Sequence, residues 1–110
     1  MLPQGKRIPR KDFPTLLASR IFVHSPHFVL RASFETSRVQ AAVSVSKKVA
    51  KSAVVRNAIR RRTYNALAPL LPAKGLFLFI AKPGSERVRG PALVAEVTEL
   101  LKAAESRYNS

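Results

Sequence analysis

The chain has 110 residues, no cysteine, and 20 Lys+Arg against 6 Asp+Glu, a formal net charge of +14. That length suits one domain, residues 1–110, with one modest core, and 46% hydrophobic residues exclude a wholly disordered chain. The missing cysteines exclude disulfides and thiolate metal or redox sites, while the charge calls for a polyanion, nucleic acid before an anionic membrane.

Residues 1–11 carry Lys6, Arg7, Arg10 and Lys11 and read as a flexible basic arm. They hold no apolar run of signal-peptide length, and the apolar run Leu76 to Ala81 is too short to cross a bilayer. The expectation is a soluble, cytoplasmic protein. "DFPTLLASR" predicts a short helix with Asp12 or Phe13 at its cap and Pro14 in its first turn.

"HFVLRASF" alternates: Phe28, Leu30, Ala32 and Phe34 face one way, His27, Val29, Arg31 and Ser33 the other. In "VQAAVSVS", Val39, Ala41, Val43 and Val45 oppose Gln40, Ala42, Ser44 and Ser46. The short link "ETSR" predicts that these two strands pair as an antiparallel hairpin. From about Lys51 to "LAPLLPA" the period is helical. Val55, Ile59 and Ala66 fall on one side; Arg56, Asn57, Arg60 and Arg61 fall on the other. "GLFLFIAK" is apolar on both faces and predicts a central strand. Pro91 opens a last helix whose core stripe is Leu93, Val94, Val97, Leu100, Leu101 and Ala104. The fold class is an α/β (α+β) sandwich: one mixed sheet of about four strands with helices, in the order α-β-β-α-β-α.

The densest chemistry lies between Ser46 and Arg62. Lys47, Lys48, Lys51, Arg56, Arg60, Arg61 and Arg62 bring seven positive charges with no acid among them. A solvated helix face would mix signs. Four arginines instead suit bidentate contact with phosphate, which positions an RNA without reading its bases. The polar sheet face, with Arg31, Ser33, Ser44 and Ser46, suits a single strand, and Phe13 can lie over it; the competing reading makes Phe13 a core residue. His24 and His27 in "HSPH" have no cysteine or carboxylate beside them in sequence and read as no metal site. Glu96 and Glu99 read as a solvated helix face, and the remaining acids are scattered. No protein-borne catalytic residue is expected.

"SVSKKVAKSAVVRNAIRRR" resembles the signature of the bacterial ribonuclease P protein subunit, through Ser46, Lys47, Lys48, Arg56, Asn57, Ile59, Arg60 and Arg61. "KDF", "FVLRAS" and "FIAKPG" extend the resemblance over residues 6–105. The resemblance implies a left-handed βαβ crossover. It also implies a subunit of an RNA-based endoribonuclease that removes the 5′ leader of precursor tRNA. The partners implied are the catalytic RNA and precursor tRNA, with no membrane and no obligate protein partner. The holoenzyme would require Mg²⁺, with no cofactor bound by the protein alone. By position, Lys47, Lys48, Lys51, Arg56, Asn57, Arg60, Arg61 and Arg62 would contact the catalytic RNA. Phe13, Leu17, Phe28, Val29, Arg31, Ser44 and Lys82 would line the leader site. Ala58, Leu17 and Arg62 depart from the family pattern. Two rival readings stand beside this one: a ribosomal or general structured-RNA-binding protein, and a protein-only nuclease, which needs carboxylates gathered around metal.

Overall fold

A computed structural model describes Ile8, residues 13–19 and residues 21–109; the side chains of Phe13 and Leu17 and the rest of the 1–11 arm lie outside the described residues. The elements are α1 (Phe13–Ala18), β1 (Ile21–His24), β2 (Phe28–Ser33), β3 (Val39–Ser44), α2 (Ala53–Leu67), β4 (Gly75–Ala81) and α3 (Gly90–Tyr108), with single 3₁₀ turns at Ala68–Leu70 and Ser85–Arg87. The four strands form one sheet in the order β1-β2-β4-β3. β1/β2 and β2/β4 are antiparallel and β3/β4 is parallel. The parallel pair is joined through α2.

Two expectations are corrected here. First, β2 and β3 are not a hairpin, because β4 lies between them. A strand apolar on both faces gains most from a neighbour on each edge, and β4 takes both. The 34–38 link then crosses two strand spacings, about 10 Å, within reach of five residues. Second, the order gains a strand: β1 pairs along β2 from Ile21↔Ala32 to His24↔Val29. Its hairpin turn is closed by Ser25, whose amide donates to the Phe28 carbonyl at 2.9 Å and whose Oγ accepts the Phe28 amide at 3.2 Å.

The predicted alternation sorts the two sheet faces. Phe28, Leu30, Ala32, Ala41, Val43, Phe77 and Phe79 point into one core beneath α2 and α3. Each fully buried Phe or Leu contributes about 1.5–3 kcal/mol by leaving water. α2 adds Ile59, Thr63, Tyr64, Ala66 and Leu67 to that core, and α3 adds Leu93, Val97, Leu100, Leu101 and Ala104. Both stripes have the i, i+4, i+7, i+8 spacing of a helix with one buried side. Val55 and Val94, assigned to these stripes from periodicity, are exposed at 37% and 41%. Val55 belongs to the first turn of α2, whose residues 53–55 are all exposed.

The opposite sheet face is covered only in part. Leu16 of α1 and Ile8 bury against Leu76, with Ala42 and Leu78 beside them. Gly75 permits the tight entry into β4. Its φ is +125°, and a Cβ there would stand 2.9 Å from both Phe77 Cζ and the Ser33 carbonyl oxygen. The outer edge of β3 is closed by Tyr64, whose hydroxyl accepts from the Val43 amide at 3.1 Å. Among the described residues, no helix is long and apolar enough to cross a membrane.

Candidate nucleic-acid interface

The basic site starts where β3 ends. Ser46 accepts the amides of Val49 and Ala50, so residues 46–50 form a tight turn that leaves Lys47 and Lys48 exposed. Ser52 then caps α2, accepting from the Val55 amide at 3.4 Å. Arg56 reaches back from the first turns of α2. Its Nη1 donates to the carbonyls of Ala50 and Lys51 at 2.9 and 2.8 Å. One guanidinium therefore ties the lysine turn to the helix and fixes Lys47, Lys48 and Lys51 relative to it.

Arg56 and Arg60, and Asn57 and Arg61, are each four residues apart, so the four side chains share one face. Arg60 Nη2 donates to Asn57 Oδ1, which orients both groups outward. No carboxylate answers these charges within α2. Arg62 stands apart: its Nη2 donates to the Glu86 carbonyl at 3.2 Å, and its buried Nε has no hydrogen-bond partner. Burial, and then Arg89 and Arg61, hold its guanidinium below the usual arginine range. It braces α2 against the turn before α3, off the four-residue face.

The second part of the site is the uncovered half of the polar sheet face. Val29 pairs with Ile80, which pairs with Ser44, so the three lie across three strands on one side. Arg31 shares that side one step along β2, with Cζ 5.1 Å from the Phe22 ring centroid. Its Nε is buried without a hydrogen-bond partner. Lys82 lies just past β4, its Nζ donating to the Ser25 carbonyl at 2.7 Å. Phe28 is corrected: its ring is 0% exposed on the core side, so it has no surface to offer a ligand. Its neighbour Val29 faces outward, as the alternation requires. Phe13 and Leu17 lie on α1, and their side chains are outside the described residues.

Three residues near this face were missed from the sequence. Ile80 hid inside an all-apolar run. Phe22 and His24 sit on β1, whose "IFVH" alternation was its one signal. Glu96 is a correction. It is no solvated acid, for its Oε2 accepts the His27 amide at 2.8 Å and also the Ser25 hydroxyl. Its Oε1 lies 2.7 Å from His27 Nδ1. A long-range pair of this kind leaves no local spacing to detect.

Ser44 leads directly into the lysine turn, so the open sheet face and the basic helix face are continuous along the chain. Together they offer stacking and polar groups on one side and a row of phosphate-seeking cations on the other. Comparisons with known proteins agree on the family. The family model described as Ribonuclease P matches residues 2–105. The ribonuclease P protein component of Nostoc punctiforme is 33% identical, with 94% of each chain covered. That of Microcystis aeruginosa is also 33% identical, covering 94% of this chain and 93% of its own. A Staphylococcus aureus RNase P protein mutant superposes with a TM-score of 0.79 at 22% identity, over 93% of this chain and 90% of that one. A Thermotoga maritima RNase P protein gives 0.70 at 19% identity, over 84% and 94%. The fold matches theirs, and by its family model and its curated relatives this chain belongs to the ribonuclease P protein family.

Proposed function

We propose that this chain serves ribonuclease P by gripping two RNAs at once: the catalytic RNA along α2 and the lysine turn, and the unpaired 5′ leader of precursor tRNA across the open sheet face. The observation that carries this reading is the continuity of the two surfaces through residues 44–56, locked by Arg56 onto the Ala50 and Lys51 carbonyls. A chain built this way neutralises repulsion between two polyanions and holds one against the other. The Arg56, Asn57, Arg60 and Arg61 face supplies sequence-independent grip. Val29, Arg31, Ser44 and Lys82 add affinity that only a substrate with a leader can use, which is specificity by differential affinity.

We assign the chemistry of phosphodiester hydrolysis to the RNA. Among the described residues no three His, Cys, Asp or Glu side chains gather as a metal site. In this reading the Mg²⁺ that such a holoenzyme requires is held by the RNA, and the complex acts in the cytoplasm on precursor tRNA. The test is competition between precursor and mature tRNA for the complex of this protein with a ribonuclease P RNA. Preference for the precursor, lost when its leader is trimmed, supports the reading. Equal affinity favours a general RNA-binding role. Cleavage by the protein alone, without RNA, overturns the assignment of chemistry to the RNA.

A further inference from the structure

We propose that the edge strand β1 carries a second stacking station, in which Phe22 and His24, with Arg31 beside them, hold nucleobases of unpaired RNA beyond the part of the sheet covered by α1. The inference deepens the leader-binding role proposed above and rests on it. The register places Phe22 opposite Arg31 and His24 opposite Val29, so both β1 side chains share the side of the sheet that bears Val29 and Arg31. The Phe22 and His24 rings are 5.0 Å apart at 54°, and the Arg31 guanidinium lies over Phe22. His24 is exposed and Phe22 half-buried. One cation and two rings therefore make a continuous patch on an edge strand.

The core does not explain that patch. β1 meets its packing need through Val23, which is buried on the other side against the main core. The backbone beneath the patch is held separately, because Arg107 on α3 donates from Nη1 to the Phe22 carbonyl at 2.5 Å. The rings are thus presented on a fixed strand, as a stacking surface needs.

Charge selects the occupant. The outward strand positions nearest the patch are Val29, Arg31, Ile80 and Ser44, with no carboxylate among them. Bases in a paired helix offer no free face to stack on a flat protein surface, so the fit is to single-stranded RNA. Three strand spacings separate β3 from β1, about 14 Å. A strand entering from Ser44 and the lysine turn would cross β4 and β2 before reaching Phe22. The station therefore serves leader bases farther from the cleavage point than those at Val29.

The experiment uses the assembled complex of this protein with a ribonuclease P RNA, under conditions that block cleavage. Affinity is measured for precursor tRNAs whose leaders lengthen one nucleotide at a time. The wild type is expected to gain affinity at a short length. It should gain again, by about five-fold or more, once bases reach β1, since one base–aromatic stack is worth at least that much. Phe22→Ala and His24→Ala are expected to lower the ratio of long-leader to short-leader affinity, and Phe22→Tyr to keep it. The ratio is internal to each protein, so partial loss of fold does not distort it; if Phe22→Ala does not fold, exposed His24 carries the test. A second gain that is absent from the wild type, or that survives in the foldable variants, overturns the station but leaves the leader reading intact. Equal affinity for every leader length, including none, overturns both.

Discussion

The Glu96 carboxylate of α3 is held to the β1–β2 turn by His27, whose Nδ1 lies 2.7 Å from Oε1 and whose amide donates to Oε2 at 2.8 Å. The same turn presents the Ser25 carbonyl to Lys82 Nζ. A carboxylate on the core side of the sheet thus steadies the lysine that borders the open face. Glu96→Ala removes the acceptor for the Ser25 hydroxyl and the His27 amide. It is expected to cost about 1–3 kcal/mol, the usual penalty for stranding part-buried donors. Chemical denaturation measures it, and a cost below about 0.5 kcal/mol would show the turn standing without the brace.

The same residue gives the fold a defined response to acid. Burial pushes the Glu96 carboxyl up, but hydrogen bonds from Ser25, the His27 ring and the His27 amide, with the His27 charge, outweigh burial and hold it below the usual carboxylate range. A depressed folded-state pKa stabilises above the unfolded value of about 4.3, and that stability is lost as pH falls through the folded value. The gap in thermal midpoint between wild type and Glu96→Gln should therefore be full above about pH 5 and shrink as pH falls below the unfolded value. A gap independent of pH contradicts this origin.

Gly75→Ala tests the entry to β4. The left-handed φ alone costs a non-glycine residue about 1–3 kcal/mol, and the new Cβ would also press on the backbone oxygen of Ser33. A clear fall in thermal midpoint is expected. An unchanged midpoint would show that β4 can start in another conformation.

Arg56 organises charge as well as carrying it. Six phosphates neutralised by this surface would make log K fall against log salt with a slope of roughly 4 to 5. Arg56→Ala should flatten that slope by more than one phosphate contact, because it also releases the turn that presents Lys47, Lys48 and Lys51. Titration of the catalytic RNA at several salt concentrations reads it out. A change of one contact or less would make Arg56 a point charge like its neighbours.

Clustered like charges also predict that anions stabilise the free protein. Sulfate bound at the Arg56, Arg60 and Arg61 face relieves repulsion only in the native state, so the thermal midpoint should rise between low and moderate sulfate. A flat response would mean that the cations are not preassembled.

Much of this was legible along the chain. The two strand alternations, the central character of Gly75–Ala81 and the Arg56, Asn57, Arg60, Arg61 face all arise from periodicities of two or 3.6, which local sequence carries. The partnering of β2 was not, since hairpin chemistry competes with a central strand's need for two neighbours, and only the assembled sheet decides. Strand β1 was missed because four residues at an edge give a weak alternation. Val55 misled because its helical phase was right but the first turn of α2 stands exposed. Phe28 shows the limit of position-matching to a family: its own alternation already pointed it into the core. Glu96 and His27 are 69 residues apart, and nothing local joins them.

The most direct test of the assigned role is cleavage of a precursor tRNA by a bacterial ribonuclease P RNA at low millimolar Mg²⁺, with and without this protein. The expected result is that the protein switches cleavage on and yields the correct mature 5′ end, and that the Arg60→Ala and Arg61→Ala double variant does so poorly. Silence from the RNA of the same organism, although the protein binds it, would contradict the role.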